Sequence, residues 1–209
     1  MSVVQSTDPD LILLIISSPS GAGKTTLTRR LLQEFPELRF SVSHTTRRPR
    51  ANEVDGQDYH FVTEAAFRKI IEENGFAEWA EVHGNLYGTS VSEIDIARTA
   101  RKIGVLFDVD YQGARQIKEK FPDAIGVFIL PPSMEELRRR LDGRGSDDEE
   151  SRQLRFDKAR EEIGHYPFFD YMIVNDELQR ALAELRGIVL AEGCRRRRLA
   201  AKAEALLHE

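Results

Sequence analysis

A lysine and a threonine behind closely spaced glycines are the first chemistry visible in the chain. Ser18-Pro19-Ser20-Gly21-Ala22-Gly23-Lys24-Thr25 fits G-x-x-x-x-G-K-[ST] at every fixed position except the first, where Ser18 stands for glycine, and Thr26 follows. Gly21 and Gly23 would let the backbone turn its N–H groups inward around phosphate oxygens, at φ values that a Cβ disfavours. A helix starting near Lys24 would add the positive end of its dipole. The Lys24 ammonium can reach the β- and γ-phosphates of a nucleotide, and the Thr25 hydroxyl can ligate Mg2+. Ser18 sits at the loop's entrance, so its departure from the pattern bears on the backbone angle there more than on the phosphate grip. A loop of this kind serves GTPases, ATPases and nucleotide kinases alike, and other residues must choose among them.

Arg47 and Arg50 lie three apart around Pro49, in a kinked segment that can aim two guanidinium forks at one phosphate. The hydroxyls of Tyr59 and Tyr87 are suited to complete such a clamp. Asp108 and Asp110 end an apolar segment. They could orient water on Mg2+ or cap the helix expected near Gln112, and both readings stand at this point. Arg140, Arg144 and Arg155 fall in a dense charge run. Loose phosphoryl-transfer transition states spread charge over equatorial oxygens, which mobile arginines can meet. The remaining cations, Arg138 and Arg160 among them, read as a solvated helix face. The five histidines have no metal-ligand spacing, and His44 reads as packing.

Five motifs beyond the loop then occur in one order. They are Ser41-Val-Ser-His-Thr-Thr-Arg-Arg-Pro-Arg50 with Gly56-Gln-Asp-Tyr59-His-Phe61, Phe76-Ala-Glu-Trp-Ala80, Gly84-Asn-Leu-Tyr-Gly-Thr-Ser90, Asp108-Val-Asp110, and Arg140-Leu-Asp-Gly-Arg-Gly145. With them the sequence resembles the guanylate kinases from about residue 11 to Asn175. The resemblance implies transfer of the γ-phosphoryl group of ATP to GMP with Mg2+. It gives Arg47, Arg50, Tyr59 and Tyr87 the acceptor phosphate, and Glu78 the guanine base, with Ser43, Thr89, Asp108 and Asp110 as further contacts. Guanine presents N1–H and N2–H2 side by side, so one carboxylate can accept both, whereas adenine offers an acceptor at N1; a site built on such bonds rejects the analogue lacking them. The resemblance also makes 138–160 a lid and puts Asn175 on the adenine side. Thr89 stands where the family has serine and keeps the hydroxyl. Acceptance of dGMP is expected, since no residue clearly reads a 2′-hydroxyl.

The elements that must position these residues follow from the apolar pattern. Leu11–Ile16, 104–110, 124–130 and Tyr171–Val174 read as buried parallel strands. Helices are expected over Ser92–Lys102, 112–120, 133–141 and 177–190. Alternation of the two implies an α/β phosphate-loop nucleotide kinase core, a parallel sheet with helices on both faces. Residues 41–91 break the rhythm and read as an inserted small α+β acceptor-binding subdomain with a helix over Glu64–Asn74. Residues 138–160 read as a helical lid. The core is then 1–40, 92–137 and 161–209.

Composition narrows the class. The 209 residues carry 30 Lys+Arg against 35 Asp+Glu, a net charge of −5, which argues against a general nucleic-acid coat. Arg195–Arg198 reads as part of a solvated tail. One cysteine, Cys194, can form neither an internal disulfide nor a cysteine zinc cage. The longest apolar run is far short of the about 20 residues that span a bilayer. The expectation is a cytoplasmic enzyme acting on GMP and ATP, with no nucleic-acid or membrane partner and with a homo-oligomer left open. Two rivals are a guanylate-kinase-like scaffold that binds peptides, disfavoured by the intact Gly23-Lys24-Thr25, and a kinase for another phosphorylated acceptor such as a phosphorylated ribose.

Overall fold

The apolar run Leu11–Ile16 fits a strand buried on both faces, and its last five residues with Ser17 form β1 (Ile12–Ser17) at the centre of a five-stranded sheet. The computed structural model describes residues 11–142 and 149–209. After β1 the chain continues through α1 (Lys24–Glu34), β2 (Leu38–Phe40), β3 (His44–Thr45), β4 (His60–Phe61), α2 (Glu64–Glu72), β5 (Phe76–Val82), β6 (Asn85–Ser90) and α3 (Ser92–Thr99). Then come β7 (Gly104–Asp108), α4 (Tyr111–Lys120), β8 (Ile125–Leu130), α5 (Met134–Asp142), α6 (Glu149–Ile163), β9 (Tyr171–Val174), α7 (Leu178–Gly193) and α8 (Arg196–Leu206).

The main sheet has the order β2-β7-β1-β8-β9, and every pairing in it is parallel. Alternation of side chains along each strand divides the core between two faces. Ile12, Leu14 and Ile16 pack with Leu27 and Leu31 of α1 and with Leu182 and Leu185 of α7. Leu13 and Ile15 pack with Ile94 of α3 and Ala114 and Ile117 of α4. Leu14, Ile15 and Ile16 are wholly buried, and burying each such side chain contributes about 1.5–3 kcal/mol. The protein is an α/β domain of the expected class.

Residues 41–91 hold a second sheet of order β4-β3-β6-β5. Its small core is Phe67 of α2 stacked on Phe76 of β5, centroids 4.3 Å apart, with Leu86. Thr63 caps α2 by accepting from the Ala66 N–H at 3.2 Å, a bond worth about 1 kcal/mol.

Several elements differ from their sequence-based bounds. The helix expected to reach Lys102 stops at Thr99, because Arg101 turns left-handed at φ 52°. The strand expected to run to Asp110 ends at Asp108, since Asp110 caps α4, its carboxylate accepting from the Gly113 N–H at 2.9 Å. Edge strand β2 and the β5–β6 hairpin were not expected as strands. The hairpin closes through His83 at φ 50° and Gly84 at φ 73°, both positive as a tight two-residue turn requires.

Arg138 and Arg160 are exposed, as a solvated helix face requires, whereas the arginine run near residue 195 is less solvated than expected. Arg138 donates to Gln153 at 2.7 Å and lies 4.5 Å over the Phe156 ring, tying α5 to α6. In the arginine run, Arg195 pairs with Glu192 and Arg197 with Asp123. Arg198 is buried and donates to the Glu192 carbonyl at 3.0 Å. These contacts hold Arg198 against the end of α7, while Arg195 and Arg196 stay exposed.

Candidate active site

The loop from Ser18 to Gly23 leaves the C-terminal end of β1 and opens α1. Gly21 and Gly23 take φ 90° and 96°, a region that L side chains rarely enter. Ser18 is not among the non-glycine residues with positive φ, so the missing glycine costs no strain there; its hydroxyl donates to the Pro19 carbonyl at 3.0 Å. Helix α1 has neither a capping side chain nor an acid in its first turn. Its first N–H groups are left for an anion, in contrast to the side-chain caps of α2 and α4. The segment from Ser18 to Thr26, with Ala22 turned inward, lines a cavity of about 310 Å3.

The loop is braced from behind. Asn175, buried at the end of β9, donates its side-chain amide to the Ala22 carbonyl at 2.7 Å. A Cβ at Gly23 would collide with that amide. Arg140 of α5 donates to the Asn175 carbonyl at 3.1 Å and to Glu136 at 2.8 Å. Arg139 and Arg140 together hold the Glu136 carboxyl down to about 2. Asn175 is thus committed to the loop, and Arg140 lies against the loop's outer side. Arg155 is on the exposed face of α6, and Arg144 lies outside the described residues.

Lys24 meets the acceptor side. Its ammonium pairs with Asp108 and donates to the Val109 carbonyl at 3.3 Å. The contact follows from strand register, since Ile16 of β1 is level with Asp108 of β7. Among the described residues no cluster of three or more His, Cys, Asp or Glu could hold a metal. The exposed Thr25 hydroxyl at the phosphate cavity and the Asp108 carboxylate beside Lys24 are hard oxygen donors, a set that suits Mg2+ sharing its shell with phosphate and water.

Glu78 lies on β5 beside a register shift between Phe76 and Glu78, which sets it directly opposite Thr89 of β6. Bulges of this kind re-aim side chains next to sites. Thr89 donates to Glu78 Oε1 at 2.7 Å, and the Ser43 hydroxyl is 2.9 Å from Thr89 Oγ1. Thr89 has one hydroxyl proton, given to Glu78, so Ser43 must be the donor to Thr89. The carboxylate is buried, and desolvation raises its pKa above the ordinary glutamate value, with the nearby Asp110 charge a smaller contribution in the same direction. Gly113 of α4 packs against it, for a Cβ there would stand 3.2 Å from Glu78 Oε2.

At the other end of the same sheet, the Arg47 guanidinium lies 5.4 Å over the Tyr59 ring, and Tyr59 and Tyr87 have centroids 6.0 Å apart. Glu53 grips Arg47 with both oxygens, at 2.8 and 3.0 Å, and accepts from the Arg50 backbone N–H at 2.7 Å. The Arg47 bond holds the Glu53 carboxyl below the usual range. The Arg50 side chain is exposed. Glu53 was missed from sequence, although an acid three residues after Arg50 is a turn-closing signal. His44 packs against His60 and Phe76, at 4.7 and 5.7 Å between centroids, and burial lowers its pKa.

The structure therefore brings together Ser43, Glu78, Thr89 and Asp110, groups Arg47, Tyr59 and Tyr87 elsewhere about the same small sheet, and pairs Lys24 with Asp108 at the end of β7. Comparison with known proteins follows the same lines. The guanylate kinase family model matches residues 11–192. The guanylate kinase of Geobacter metallireducens is 52% identical over 184 residues, 88% of this chain and 90% of that protein. That of Myxococcus xanthus is 52% identical over 192 residues, 91% of each. The crystal structure of guanylate kinase from Anaplasma phagocytophilum superposes with a TM-score of 0.71 at 32% identity, covering 91% of this chain and 90% of that one.

Proposed function

The chain belongs to the guanylate kinase family, and from that premise we infer how its own residues act. It is an ATP:GMP phosphotransferase, giving ADP and GDP. The observation that carries the guanine specificity is the buried Glu78 with its single file of hydroxyls, Ser43 to Thr89 to Glu78. One oxygen of Glu78 is engaged by Thr89, and the carboxylate remains an acceptor for the adjacent N1–H and N2–H2 of guanine. No residue is needed as general base, because the attacking group is a phosphate oxygen, largely ionised at neutral pH with a second pKa near about 6.

Catalysis then consists of positioning and charge. Arg47, Arg50, Tyr59 and Tyr87 hold the acceptor phosphate, and Glu53 keeps Arg47 in place over Tyr59 until that phosphate arrives. Lys24 leaves Asp108 for the donor phosphates held by the amides of the loop from Ser18 to Thr26. Mg2+, ligated by Thr25 and by water oriented on Asp108, would neutralise charge on the donor phosphates. Residues 138–160 act as the lid, whose closing would carry Arg140 from the loop's outer side, with Arg144 and Arg155, to the transferred group. Asn175 supports the loop from beneath the donor side. No residue of the acceptor site is placed to demand a 2′-hydroxyl, and dGMP is a second acceptor.

The working environment is the cytoplasm, with small-molecule substrates and neither nucleic acid nor membrane as partner. No helix of the described residues is long and apolar enough to cross a membrane, and Arg195, Arg197 and Arg198 each have an internal partner. A coupled ADP-release assay across GMP, dGMP, AMP, IMP, CMP and UMP tests the reading. Turnover of GMP and dGMP well above the others is expected. Equal turnover of AMP would remove the guanine assignment, and no turnover of any acceptor would favour the peptide-binding scaffold.

A further inference from the structure

Glu162 brings a carboxylate onto the phosphate loop. It lies at the end of α6, 142 residues along the chain from Ser20, and its Oε2 accepts the Ser20 backbone N–H at 3.1 Å. Among the described residues it is the one lining residue of the 310 Å3 phosphate cavity from outside the segment 18–26. Backbone N–H groups facing such a cavity are what phosphate oxygens accept from. A carboxylate oxygen on one of them occupies a place the donor nucleotide's phosphates compete for. The loop's own cation does not offset it, because Lys24 is turned to Asp108.

From this juxtaposition we propose that Glu162 is a positioning residue that gates the donor site: it holds the Ser20 amide while ATP is absent and is displaced when the triphosphate binds. Two anions cannot share one N–H, so entry of the phosphates drives the carboxylate out. The displacement is coupled to the packing of α5 on α6. Leu137 and Leu141 of α5 pack with Ala159 of α6, and both leucines also crowd Gly21, where a Cβ would stand 3.0 Å from Leu137 and 3.1 Å from Leu141. The loop thus touches α5 at Gly21 and α6 at Ser20, and the pair of helices registers whether the cavity holds phosphate or Glu162.

The inference rests on the donor-phosphate reading of the loop, which wild-type turnover of GMP by ATP tests by itself. For the gate, E162Q removes the charge and keeps the shape, and E162A removes both. ATP binding without GMP, measured by calorimetry, should tighten about threefold or more in each variant, because a like charge leaves the site, while the GMP KM stays within about twofold of wild type. Unchanged or weaker ATP binding, with wild-type turnover intact, overturns the gate alone. A second readout is independent of affinity. The Ser20 amide resonance of the nucleotide-free protein should differ between wild type and E162Q, and the difference should vanish at saturating ATP. A difference that persists with ATP bound, or is absent without it, shows that Glu162 does not exchange with phosphate and overturns the proposal.

Discussion

At Glu78, burial and recognition pull on the same proton. Desolvation raises the carboxyl pKa in the folded protein, so ionisation here works against folding: the stabilising effect of the neutral form is present at low pH and is lost as pH rises through the folded pKa. Guanine needs the opposite form, since only the carboxylate accepts from both N1–H and N2–H2. GMP affinity should therefore fall as pH is lowered through that raised pKa, which begins above the ordinary value of 4.5. Titrating GMP by calorimetry between roughly pH 5 and 7.5 on wild type and E78Q isolates the effect, because ionisation of the GMP phosphate is common to both. Parallel pH profiles for the two proteins would show that Glu78 does not titrate against GMP. At fixed pH, E78Q should lose about 10- to 100-fold in kcat/KM for GMP, as a base donor is left facing an NH2. AMP should weaken little or improve, because its N1 can accept from that group. An unchanged GMP/AMP ratio would take the guanine role away from Glu78.

At the level of elements, Glu78, the proposed guanine reader, is backed by helix α4 of the main domain. Gln116 of α4 accepts the Trp79 N–H at 3.1 Å and donates to the Trp79 carbonyl at 2.9 Å, acting as a substitute neighbouring strand for the edge of β5. One residue earlier on β5, Glu78 faces Gly113 of the same helix. G113A should improve intrinsic helix propensity by up to about 1 kcal/mol. Its Cβ would also press on Glu78 Oε2 and stand 3.0 Å from Val109 Cβ, a crowding that typically costs about 1–3 kcal/mol. The GMP KM should rise about threefold or more while the ATP KM holds, read from initial rates with each substrate varied. A higher Tm with both KM values unchanged would mean that α4 supports β5 without aiming Glu78.

For the whole molecule, the parallel sheet brings the phosphate loop, Lys24 and Asp108 to the C-terminal ends of two neighbouring strands. Strands β1 and β7 pair in register and both end there, delivering the phosphate loop and Asp108 together. The acceptor sheet is separate, joined to the main sheet through α4 and the segment before β3. K24A should cut turnover by about 100- to 1,000-fold or more, since the ammonium serves the donor phosphates. GMP binding by calorimetry should change by less than about threefold, because the residues proposed to hold GMP lie on β5 and β6 and in the segments around β3. Loss of GMP affinity in step with activity would mean that the Lys24–Asp108 pair also builds the acceptor site.

Local chemistry decided what could be read from the chain alone. A strand apolar on both faces, two glycines before a lysine and a helix behind them specify the phosphate loop with contacts of short sequence range, so Ser18–Thr26 and the four main strands were legible, β9 to the residue. The resemblance of ordered motifs likewise pointed to Ser43, Glu78 and Thr89. Tertiary structure decided whatever depends on partners distant in sequence. The β5–β6 hairpin was obscured because its turn is His83-Gly84 and its strand carries a bulge at Glu78. Asn175 braces Ala22 from 153 residues away, Arg138 joins two helices, Arg197 pairs with Asp123, and Glu162 sets a carboxylate on a group expected to meet phosphate. Those contacts exist only after the sheet has closed, since charge and hydrogen-bonding capacity are written in the sequence while the choice of partner is made by the fold.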